Sequence, residues 1–555
     1  MTGGQALVQQ LLRHGIDTIF GLPGIQLDFV FDALWEERER IRVIHTRHEQ
    51  ATAYMADGFA RSTGRVGTCL VVPGPGLLNA AAGLATAYAC SSRVLCLTGQ
   101  IPSDQIGAGR GALHEIKDQL ETISSVVKHA ERVLSPEEIP GAVQRAWGAL
   151  HSGRPRPVEI EVPPDVLEKV AEVTLVEPDR PDSAPPLDLD LLEEASRILG
   201  GAERPLICSG GGLLSSGGWD ALQDLSQLLE APVLMTDNGR GAVSDRDYHA
   251  QTGVLANRAL VPEADVILVV GTRFSMMRSA RFRAKVRKDA RLIQIDVDPE
   301  EIGRNYRPKI GIEADAGQAL SELCSRVARH NRLRESRREE LVALAARSRE
   351  RWAEASPLCE YGLALRAELP DDGILVNEST QVGYWNAVGG FPVYQPRSFL
   401  NYGYQGTLGY GFPTALGAQV GNPDRKVISV NGDGGFLFNV QELSTMAQQR
   451  IPVVAVVFDD RAYGNVRRIQ QLRMGGHTIA SELMNPDWVK LAESFGVAGY
   501  RAEDPAALRE VLRQALASDA PALIAVPMPD AVAIRGFYPP EPLPPRPELH
   551  QGESE

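Results

Sequence analysis

Two turns in the last third of the sequence place carboxylates beside glycines. The stretch NGDGG at residues 431–435 follows the apolar run KVISV, and DDRAYG at residues 459–464 follows PVVAVVF. If both runs are parallel strands, the turns lie at the sheet edge where α/β proteins bind ligands. Glycines let backbone N–H groups approach an anion, and carboxylate and carbonyl oxygens suit Mg²⁺, whose shell is completed by phosphates and water. The pair predicts a metal-bridged diphosphate site, although either turn alone is typical of a simple strand end.

Other stretches carry further candidate functional side chains. Glu49 follows the run IRVIH and starts a helical pattern, where an acid often serves only as an electrostatic cap. Thr380 and Gln381 follow the run GILV and are suited to donate to a diphosphate, with a simple strand-end turn as a close alternative. Residues 403–413, GYQGTLGYGFP, predict a tight loop. His114 is able to shuttle protons near neutral pH, although a lone histidine is more often a hydrogen-bonded structural residue.

The elements that must position these residues fall into three segments, each alternating short β-rich apolar runs with helical patterns. This alternation predicts an α/β protein with three doubly wound parallel-sheet domains. We place the first domain at residues 1–168, a central domain at 188–335 and a third domain at 358–530, followed by a tail at 531–555. The stretch 176–190, rich in proline and aspartate, predicts an exposed linker. The highly charged stretch before the third domain predicts a solvated connecting helix.

The composition of the chain restricts its partners and its location. A formal net charge of −14, without a sustained basic run, argues against a nucleic-acid partner. The six cysteines form no CxxC pair and lie mostly in apolar surroundings, which favours reduced thiols over disulfides or zinc. The amino terminus lacks a signal-peptide pattern, and no apolar run approaches the roughly 20 residues that cross a bilayer. The sequence therefore predicts a soluble cytoplasmic protein with no membrane partner.

The spacing of the two acidic turns resembles the thiamine diphosphate motif, which runs from GDG to a pair of asparagines. Asp433 and Asp460 are 27 positions apart (460 − 433), and their flanking residues also match. The resemblance implies that Asp433, Asp460 and the backbone carbonyl of Ala462 hold Mg²⁺. The family usually has asparagine where this chain has Asp460, so the site carries an additional carboxyl group. That group either tightens metal binding or stays protonated.

The same resemblance extends over nearly the whole chain, with a pyrimidine-binding first domain and a diphosphate-binding third domain. Glu49 matches the family's glutamate, which hydrogen-bonds N1′ of the cofactor pyrimidine and promotes the tautomer that deprotonates thiazolium C2. Leu408 takes the place of the apolar residue that wedges between the cofactor's rings, and the Gly406 carbonyl would accept from the exocyclic amine. Thr380 and Gln381 lie in a stretch that resembles the diphosphate-contacting turn of benzoylformate decarboxylase. The other implied cofactor contacts are Gly24, Gly74, Asn79, Gly432, Gly434, Gly435, Tyr463 and Gly464.

The resemblance also bears on assembly and on a second cofactor. Because one domain supplies Glu49 and another supplies the diphosphate site, the family builds each catalytic centre between two chains. We therefore expect a homodimer at minimum and a homotetramer as the complete assembly. The central domain resembles those that bind FAD in acetolactate synthase, but the usual acidic pair after GTRF is replaced by SMMR at residues 275–278. The glycines at 210–212 are too common in turns to restore FAD, which stays uncertain.

The leading interpretation of the reaction is an acetolactate synthase-like carboligase or decarboxylase that acts on a 2-oxo acid. Two positions depart from acetolactate synthases. LHE at residues 113–115 replaces a Phe-Gln-Glu triplet at the reaction centre, so we assign His114 a catalytic role, and Ile469 replaces a tryptophan that shapes the substrate pocket. One alternative is a lyase or hydrolase of 2-hydroxy ketones or cyclic 1,2-diketones. Another is a noncatalytic cofactor-binding subunit, which the retained Glu49, Leu408 and Asp433 disfavour.

Overall fold

Three six-stranded parallel sheets, each flanked by helices, make up the protein. A computed structural model describes residues 1–179, 184–275 and 284–528. The middle strands of each sheet are buried along their length, as expected for parallel sheets covered on both faces. The predicted α/β architecture of three doubly wound sheets is therefore confirmed. Within the described residues, no helix has both the length and the apolarity needed to cross a membrane.

The first sheet has the strand order β2-β1-β3-β4-β6-β5. Its strands are β1 (Thr18–Gly21), β2 (Arg42–His45), β3 (Gly67–Val71), β4 (Val94–Gly99), β5 (His129–Arg132) and β6 (Val158–Val162). Its helices are α1 (Gly3–Arg13), α2 (Asp28–Glu36), α3 (Glu49–Thr63), α4 (Pro75–Cys90), α5 (Gln119–Ile123), α6 (Ile139–His151) and α7 (Pro164–Glu168). The direction of winding reverses between β1 and β3, so the ends of these strands form a ligand-binding edge.

The second sheet has the order β12-β11-β10-β7-β8-β9 and reverses between β7 and β10. Its strands are β7 (Pro205–Ser209), β8 (Val233–Met235), β9 (Ala250–Gln251), β10 (Val266–Val270), β11 (Arg291–Asp296) and β12 (Ile310–Glu313). Its helices are α8 (Leu189–Gly200), α9 (Gly211–Ser216), α10 (Trp219–Leu229), α11 (Gly253–Leu260) and α12 (Ala316–His330). The charged connecting stretch forms α13 (Arg338–Ala353), which buries Leu341, Leu344 and Ser348.

The third sheet repeats the relative strand order of the first, as β14-β13-β15-β16-β18-β17. Its strands are β13 (Ile374–Asn377), β14 (Phe399–Asn401), β15 (Val427–Gly432), β16 (Val454–Asp459), β17 (Ala498–Arg501) and β18 (Ala522–Pro527). Its helices are α14 (Leu358–Glu368), α15 (Gln381–Trp385), α16 (Gly411–Gly421), α17 (Asp433–Phe436), α18 (Leu443–Gln448), α19 (Gly464–Arg473), α20 (Trp488–Ser494) and α21 (Pro505–Ala517). The predicted tail at 531–555 and part of the linker lie outside the described residues.

Helices α3 and α16 pack against each other and join the first and third sheets into one hydrophobic core. Two glycines allow this approach. A methyl group on Gly58 would overlap the carbonyl oxygen of Thr414, and one on Gly417 would overlap the carbonyl oxygen of Met55. Because the obstacles are backbone atoms, a side chain at either position must push the helices apart. The contact sets the position of α3 relative to the third sheet.

We expect Gly417→Ala to destabilise the protein by about 1–3 kcal/mol, the usual cost of overpacking a core. Gly148→Ala is the matched control, because Gly148 lies in α6 with nothing near the position of an added methyl group. That change should be neutral or stabilising by roughly 0.5–1 kcal/mol, since alanine favours the helix. Chemical denaturation of both variants measures the difference. Equal stabilities would contradict a close approach of α3 and α16.

Candidate functional site

Glu49 stands at the head of α3, directly after the edge of the first sheet. The helix starts here because the His48 side chain accepts a hydrogen bond from the Gln50 backbone N–H, capping the first turn. The Glu49 carboxylate is half-buried and accepts a hydrogen bond of 3.0 Å from the Asn79 side chain in α4. Two residues predicted separately from the sequence are thereby brought together. A carboxylate held in this way is positioned to accept from a further donor.

Gly74 and His114 lie together at the same edge. Gly74 has a positive φ of 56°, its N–H donates to the Gln119 side chain at 3.0 Å, and a methyl group on it would overlap the His114 carbonyl oxygen. His114 also has a positive φ, of 73°, and its Nδ1 lies 3.1 Å from Oε1 of Gln26. Gly24 packs against Val72 of the same edge. Gly24, Gly74 and His114, all predicted from the sequence, therefore lie at one edge of the first sheet.

In the third sheet, β15 and β16 end side by side, as the two acidic turns predict. Asp433 starts α17, and its carboxylate accepts a hydrogen bond of 2.7 Å from Asn485. Burial, with a smaller contribution from the neighbouring Asp460 carboxylate, raises the pKa of Asp433 to about 7. Burial also raises the pKa of Asp460, while the Arg467 guanidinium opposes that shift. Two carboxyl groups thus share a partly buried position in which both cannot easily be ionised without a cation.

This arrangement fits Mg²⁺ bound with a diphosphate. A divalent cation would satisfy both acidic groups, and Mg²⁺ commonly takes one or two carboxylates and fills its octahedron with phosphate oxygens and water. In the part of the chain that the structure describes, no three acidic, histidine or cysteine side chains converge on one metal position. The site therefore needs oxygens from elsewhere. Ala462 is buried in the same turn, where its carbonyl is a candidate ligand, and the buried Oδ1 of Asn485 has no hydrogen-bond partner.

Glycines around the metal position leave no room for side chains. A methyl group on Gly435 would overlap the Glu378 carboxylate, one on Gly434 would contact the Tyr463 ring, and one on Gly464 would overlap the Asp460 carboxylate. Gly432, at the end of β15, precedes them as the cap of α17. Backbone N–H groups that no side chain covers are suited to approach an anion closely.

The Thr380 turn lies beside Gly432. Thr380 caps α15, because its hydroxyl accepts from the Gly383 N–H at 3.3 Å, and Gln381 is the first residue of that helix. The Thr380 methyl group lies 3.7 Å from the position that a side chain on Gly432 would take. Both predicted diphosphate donors therefore start a short helix next to the metal turn.

The glycine-rich loop before α16 carries Gly406 and Leu408. Gly406 is exposed, with a positive φ of 63°, and Leu408 is half-buried. Glu378 fixes the end of this loop, because its carboxylate accepts from the Gly409 N–H at 2.7 Å and from the Gly411 N–H at 3.3 Å. Burial raises the pKa of Glu378 to about 7, although both backbone donors favour the ionised form.

A second buried carboxyl group joins the first and third domains. Glu442 ends the 3₁₀ turn Val440–Glu442 and accepts hydrogen bonds of 3.0 Å from the backbone N–H groups of Arg47 and His48. Burial raises its pKa to about 7. Glu442 thereby fixes the chain immediately before Glu49 to the domain that carries the metal turn.

Sequence reasoning did not single out Glu378, Glu442 or Asn485. Glu378 had a usable signal, since it is an acid that follows the strand Ile374–Asn377 and lies two residues before Thr380. Glu442 and Asn485 had none, because their partners lie 394 and 52 positions away. Domain packing brings Glu442 to its partners, and the fold of the third domain brings Asn485 to Asp433.

The two buried glutamates predict a pH dependence of stability. Glu378 and Glu442 have pKa values raised from the ordinary 4.5 to about 7, so the folded state holds their protons more tightly than the unfolded state. Their contribution to stability is complete below about pH 4.5 and is lost as the pH rises through about 7. We expect the unfolding temperature of chelator-stripped protein to fall between pH 5.5 and 8, and to fall less in Glu378→Gln/Glu442→Gln. Calorimetry measures the unfolding temperature. An unfolding temperature that rises from pH 5.5 to 8 would refute the prediction.

The glycine run of the central domain has a packing role. Methyl groups on Gly210 and Gly212 would overlap Gly271, so the turns after β7 and β10 pack directly against each other. Glycines are therefore required here whether or not a nucleotide binds. Residues 276–278, on which the departure from the FAD pattern mainly rests, lie outside the described residues.

Three family models match the chain. The N-terminal TPP (thiamine diphosphate) binding domain of thiamine pyrophosphate enzymes matches residues 1–122, and their central domain matches residues 192–323. Their C-terminal TPP binding domain matches residues 379–526. Together these ranges contain Glu49, the central sheet and both acidic turns.

Curated relatives agree with these matches. A "Probable acetolactate synthase large subunit" of Methanocaldococcus jannaschii is 36% identical over 96% of this chain and 93% of that protein. An "Acetolactate synthase large subunit" of Parasynechococcus marenigrum is 34% identical over 95% and 87% of the two chains. A "Probable 2-ketoarginine decarboxylase" of Pseudomonas aeruginosa is 33% identical over 92% and 91%. The chain therefore belongs to the thiamine diphosphate-dependent enzymes, as a member of their acetolactate synthase-like group.

Proposed function

We propose that this enzyme is a carboligase or decarboxylase that acts on a small-molecule 2-oxo acid, with thiamine diphosphate and Mg²⁺ as cofactors. The observation that carries the proposal is the pair of partly buried carboxyl groups, Asp433 and Asp460, beside a glycine cradle that suits a magnesium diphosphate. The relatives support the substrate class, since one is described as a 2-ketoarginine decarboxylase and others as acetolactate synthases. When bound, thiamine diphosphate supplies a carbanion nucleophile and an electron sink for C–C bond chemistry.

Different residues of this chain would bind the metal, the diphosphate and the pyrimidine of the cofactor. Asp433, Asp460 and the Ala462 carbonyl would hold Mg²⁺, while the backbone of Gly432, Gly434, Gly435 and Gly464, with Thr380, Gln381 and Tyr463, would hold the diphosphate. Glu49 would hold a proton against the pyrimidine, with Asn79 orienting its carboxylate. Leu408 and the Gly406 carbonyl would set the angle of the rings, and Gly24 and Gly74 would border the pyrimidine pocket.

His114 is the proposed proton carrier on the substrate side. Its ring lies against Gln26 at the edge of the sheet that Glu49 follows, and the adjacent Leu113 is 65% exposed. Ile469 lies on α19, a helix with no buried residue in the single chain. Because isoleucine is smaller than the tryptophan of acetolactate synthases, Ile469 leaves room beside α19 for a different second substrate.

We further propose that a second copy of the chain completes the site, giving a homodimer at minimum and a homotetramer as the full assembly. Large apolar side chains lie exposed on both halves of the site in the single chain. In the first domain Leu78 is 47% exposed, and in the third domain Phe438 and Met484 are 48% and 99% exposed. Exposed apolar surface beside candidate catalytic residues is typical of a subunit interface.

The substrate class is tested with protein stripped of metal and cofactor by a chelator. We expect CO₂ release from at least one member of a panel of 2-oxo acids, starting with pyruvate and 2-ketoarginine, only after thiamine diphosphate and Mg²⁺ are restored. The organic product then separates a decarboxylase, which releases an aldehyde, from a carboligase. Cleavage of 2-hydroxy ketones or cyclic 1,2-diketones, with no turnover of any 2-oxo acid, would overturn the proposal in favour of a lyase or hydrolase.

A further inference from the structure

Gln26 is a buried polar side chain beside the candidate proton carrier His114. It lies in the 3₁₀ turn Ile25–Leu27, a few residues after β1, and only 6% of its surface is exposed. Its Cβ lies 3.3 Å from the position that a methyl group on Gly99 would take, at the end of β4. Because a buried amide costs free energy unless its polar atoms are hydrogen-bonded, the two partners of Gln26 define its role.

Both polar atoms of the Gln26 amide bond to the loop that carries His114. The Nε2 group donates a hydrogen bond of 3.2 Å to the Leu113 carbonyl oxygen, and Oε1 lies 3.1 Å from Nδ1 of His114. A backbone carbonyl oxygen can only accept, so the amide must present its NH₂ group to Leu113. The amide oxygen therefore faces the histidine ring. Since that oxygen can also only accept, Nδ1 of His114 must carry a proton.

The opposite ring nitrogen of His114 is then the proton acceptor. In a neutral imidazole only one nitrogen is protonated, and the hydrogen bond made by one nitrogen decides the state of the other. Among the described residues Nε2 of His114 forms no hydrogen bond, and this atom is not buried. In the neutral ring Nε2 therefore carries a lone pair that is open to a group from outside the chain.

The loop holds His114 in a backbone conformation that a residue with a side chain rarely adopts. Its φ of 73° lies in the left-handed region, which costs free energy and is found preferentially at functional sites. The Glu115 carboxylate stabilises this loop, because it accepts from three backbone N–H groups between residues 109 and 112 at 2.7 to 3.0 Å. The charged neighbour of His114 in the sequence is thus engaged by the backbone, and Gln26 is the partner of the ring.

We propose that Gln26 is a positioning residue that fixes His114 in the Nδ1–H tautomer, so that Nε2 serves as the base on the substrate side. This inference rests on the proposed function, in which His114 carries a proton. During turnover Nε2 accepts one proton from a substrate hydroxyl group or a water molecule, and the ring becomes an imidazolium that still donates from Nδ1 to Gln26. The same proton then passes from Nε2 to the product, which restores the neutral ring.

The tautomer of His114 is measured by solid-state ¹⁵N NMR of full-length protein that is loaded with thiamine diphosphate and Mg²⁺ and carries ¹⁵N in its histidine rings. At about pH 8 histidines are ordinarily neutral, and the chemical shift of each ring nitrogen reports whether it is protonated. The chain has ten histidines, and His114→Gln assigns the relevant signals. His151, whose Nδ1 lies 2.9 Å from the Trp147 carbonyl oxygen, is the internal reference for an Nδ1–H tautomer. A protonated Nε2 of His114 at this pH would overturn the proposal.

Two substitutions separate the acceptor function of Gln26 from its packing. Gln26→Met keeps the approximate shape of the side chain but removes both hydrogen bonds, whereas Gln26→Glu keeps an acceptor for Nδ1 of His114. We expect Nδ1 to stay protonated in Gln26→Glu and to lose its proton in favour of Nε2 in Gln26→Met. Gln227→Met, at an exposed position of the central domain, is the matched control and should leave the His114 signals unchanged. An unchanged tautomer in Gln26→Met would show that Gln26 does not fix it.

The kinetic effect of Gln26 is separable from activation of the cofactor. In Gln26→Met we expect kcat with the 2-oxo acid to fall roughly 10²-fold, at the lower end of a general acid–base contribution, with KM nearly unchanged. Exchange of the cofactor's C2 proton should stay at the parental rate, because the pair of Glu49 and Asn79 is not altered. A parental kcat together with a lost Nδ1–H tautomer would overturn the role of Gln26. If no 2-oxo acid is turned over, the proposed function fails, and the tautomer of the parent protein still decides this inference.

Discussion

We expect Glu49→Gln to lose most catalysis while it keeps its affinity for thiamine diphosphate. The carboxylate is placed by Asn79 at the head of α3, and glutamine preserves the shape but cannot take the proton. Loss of a positioned acid–base group costs about 10²–10⁴-fold in rate. The measurement is the exchange of the cofactor's C2 proton with D₂O, because it needs no knowledge of the substrate.

The control is Asp28→Asn, which removes a carboxylate from the head of another helix in the same domain. Asp28 is exposed, and the change should leave proton exchange unaltered. If Glu49→Gln exchanged the proton at the parental rate, Glu49 would have only the electrostatic role of a helix cap.

The second large effect is expected for Asp433→Asn, which should prevent Mg²⁺-dependent retention of thiamine diphosphate. Asp433 starts α17 within the glycine cradle, and burial, with a smaller effect of the Asp460 carboxylate, raises its pKa to about 7, so a bound divalent cation would favour its ionised form. Loss of an outer partner of a metal ligand costs roughly 10–100-fold in metal affinity, and loss of the ligand itself should cost more. Calorimetric titration of chelator-stripped protein with Mg²⁺ and cofactor measures the change.

Asp460→Asn is the matched comparison, because the related enzymes usually carry asparagine at this position. We expect it to retain cofactor, since an amide oxygen still serves as a ligand and the repulsion of Asp433 is relieved. An equal loss of cofactor affinity in both variants would contradict the different roles proposed for Asp433 and Asp460. Unchanged cofactor binding in Asp433→Asn would show that this turn is not part of the metal site.

The sequence predicts those parts of the site that follow from strand order. Asp433 and Asp460 each stand at the end of an apolar run, and two parallel neighbours must bring such ends to one edge. The three parallel sheets follow in the same way from alternating apolar runs and helical patterns, and the fold confirms them. Local pattern is sufficient here, because each chemical group is a few residues from the element that positions it.

Other contributions depend on contacts between distant segments, which no local pattern contains. Glu442 holds the backbone of Arg47 and His48 across two domains, and Asn485 reaches Asp433 from a separate loop. The connecting helix α13 illustrates the same limit: its charged pattern predicts a solvated helix, yet it buries Leu341, Leu344 and Ser348.

A crystal structure of the assembled protein with thiamine diphosphate and Mg²⁺ bound tests the proposed site most directly. We predict a metal ion bound by Asp433, Asp460 and the Ala462 carbonyl of one chain, and a pyrimidine nitrogen within hydrogen-bonding distance of Glu49 from a second chain. A cofactor whose diphosphate lies away from the two acidic turns, or whose pyrimidine does not contact Glu49, would contradict the proposed site.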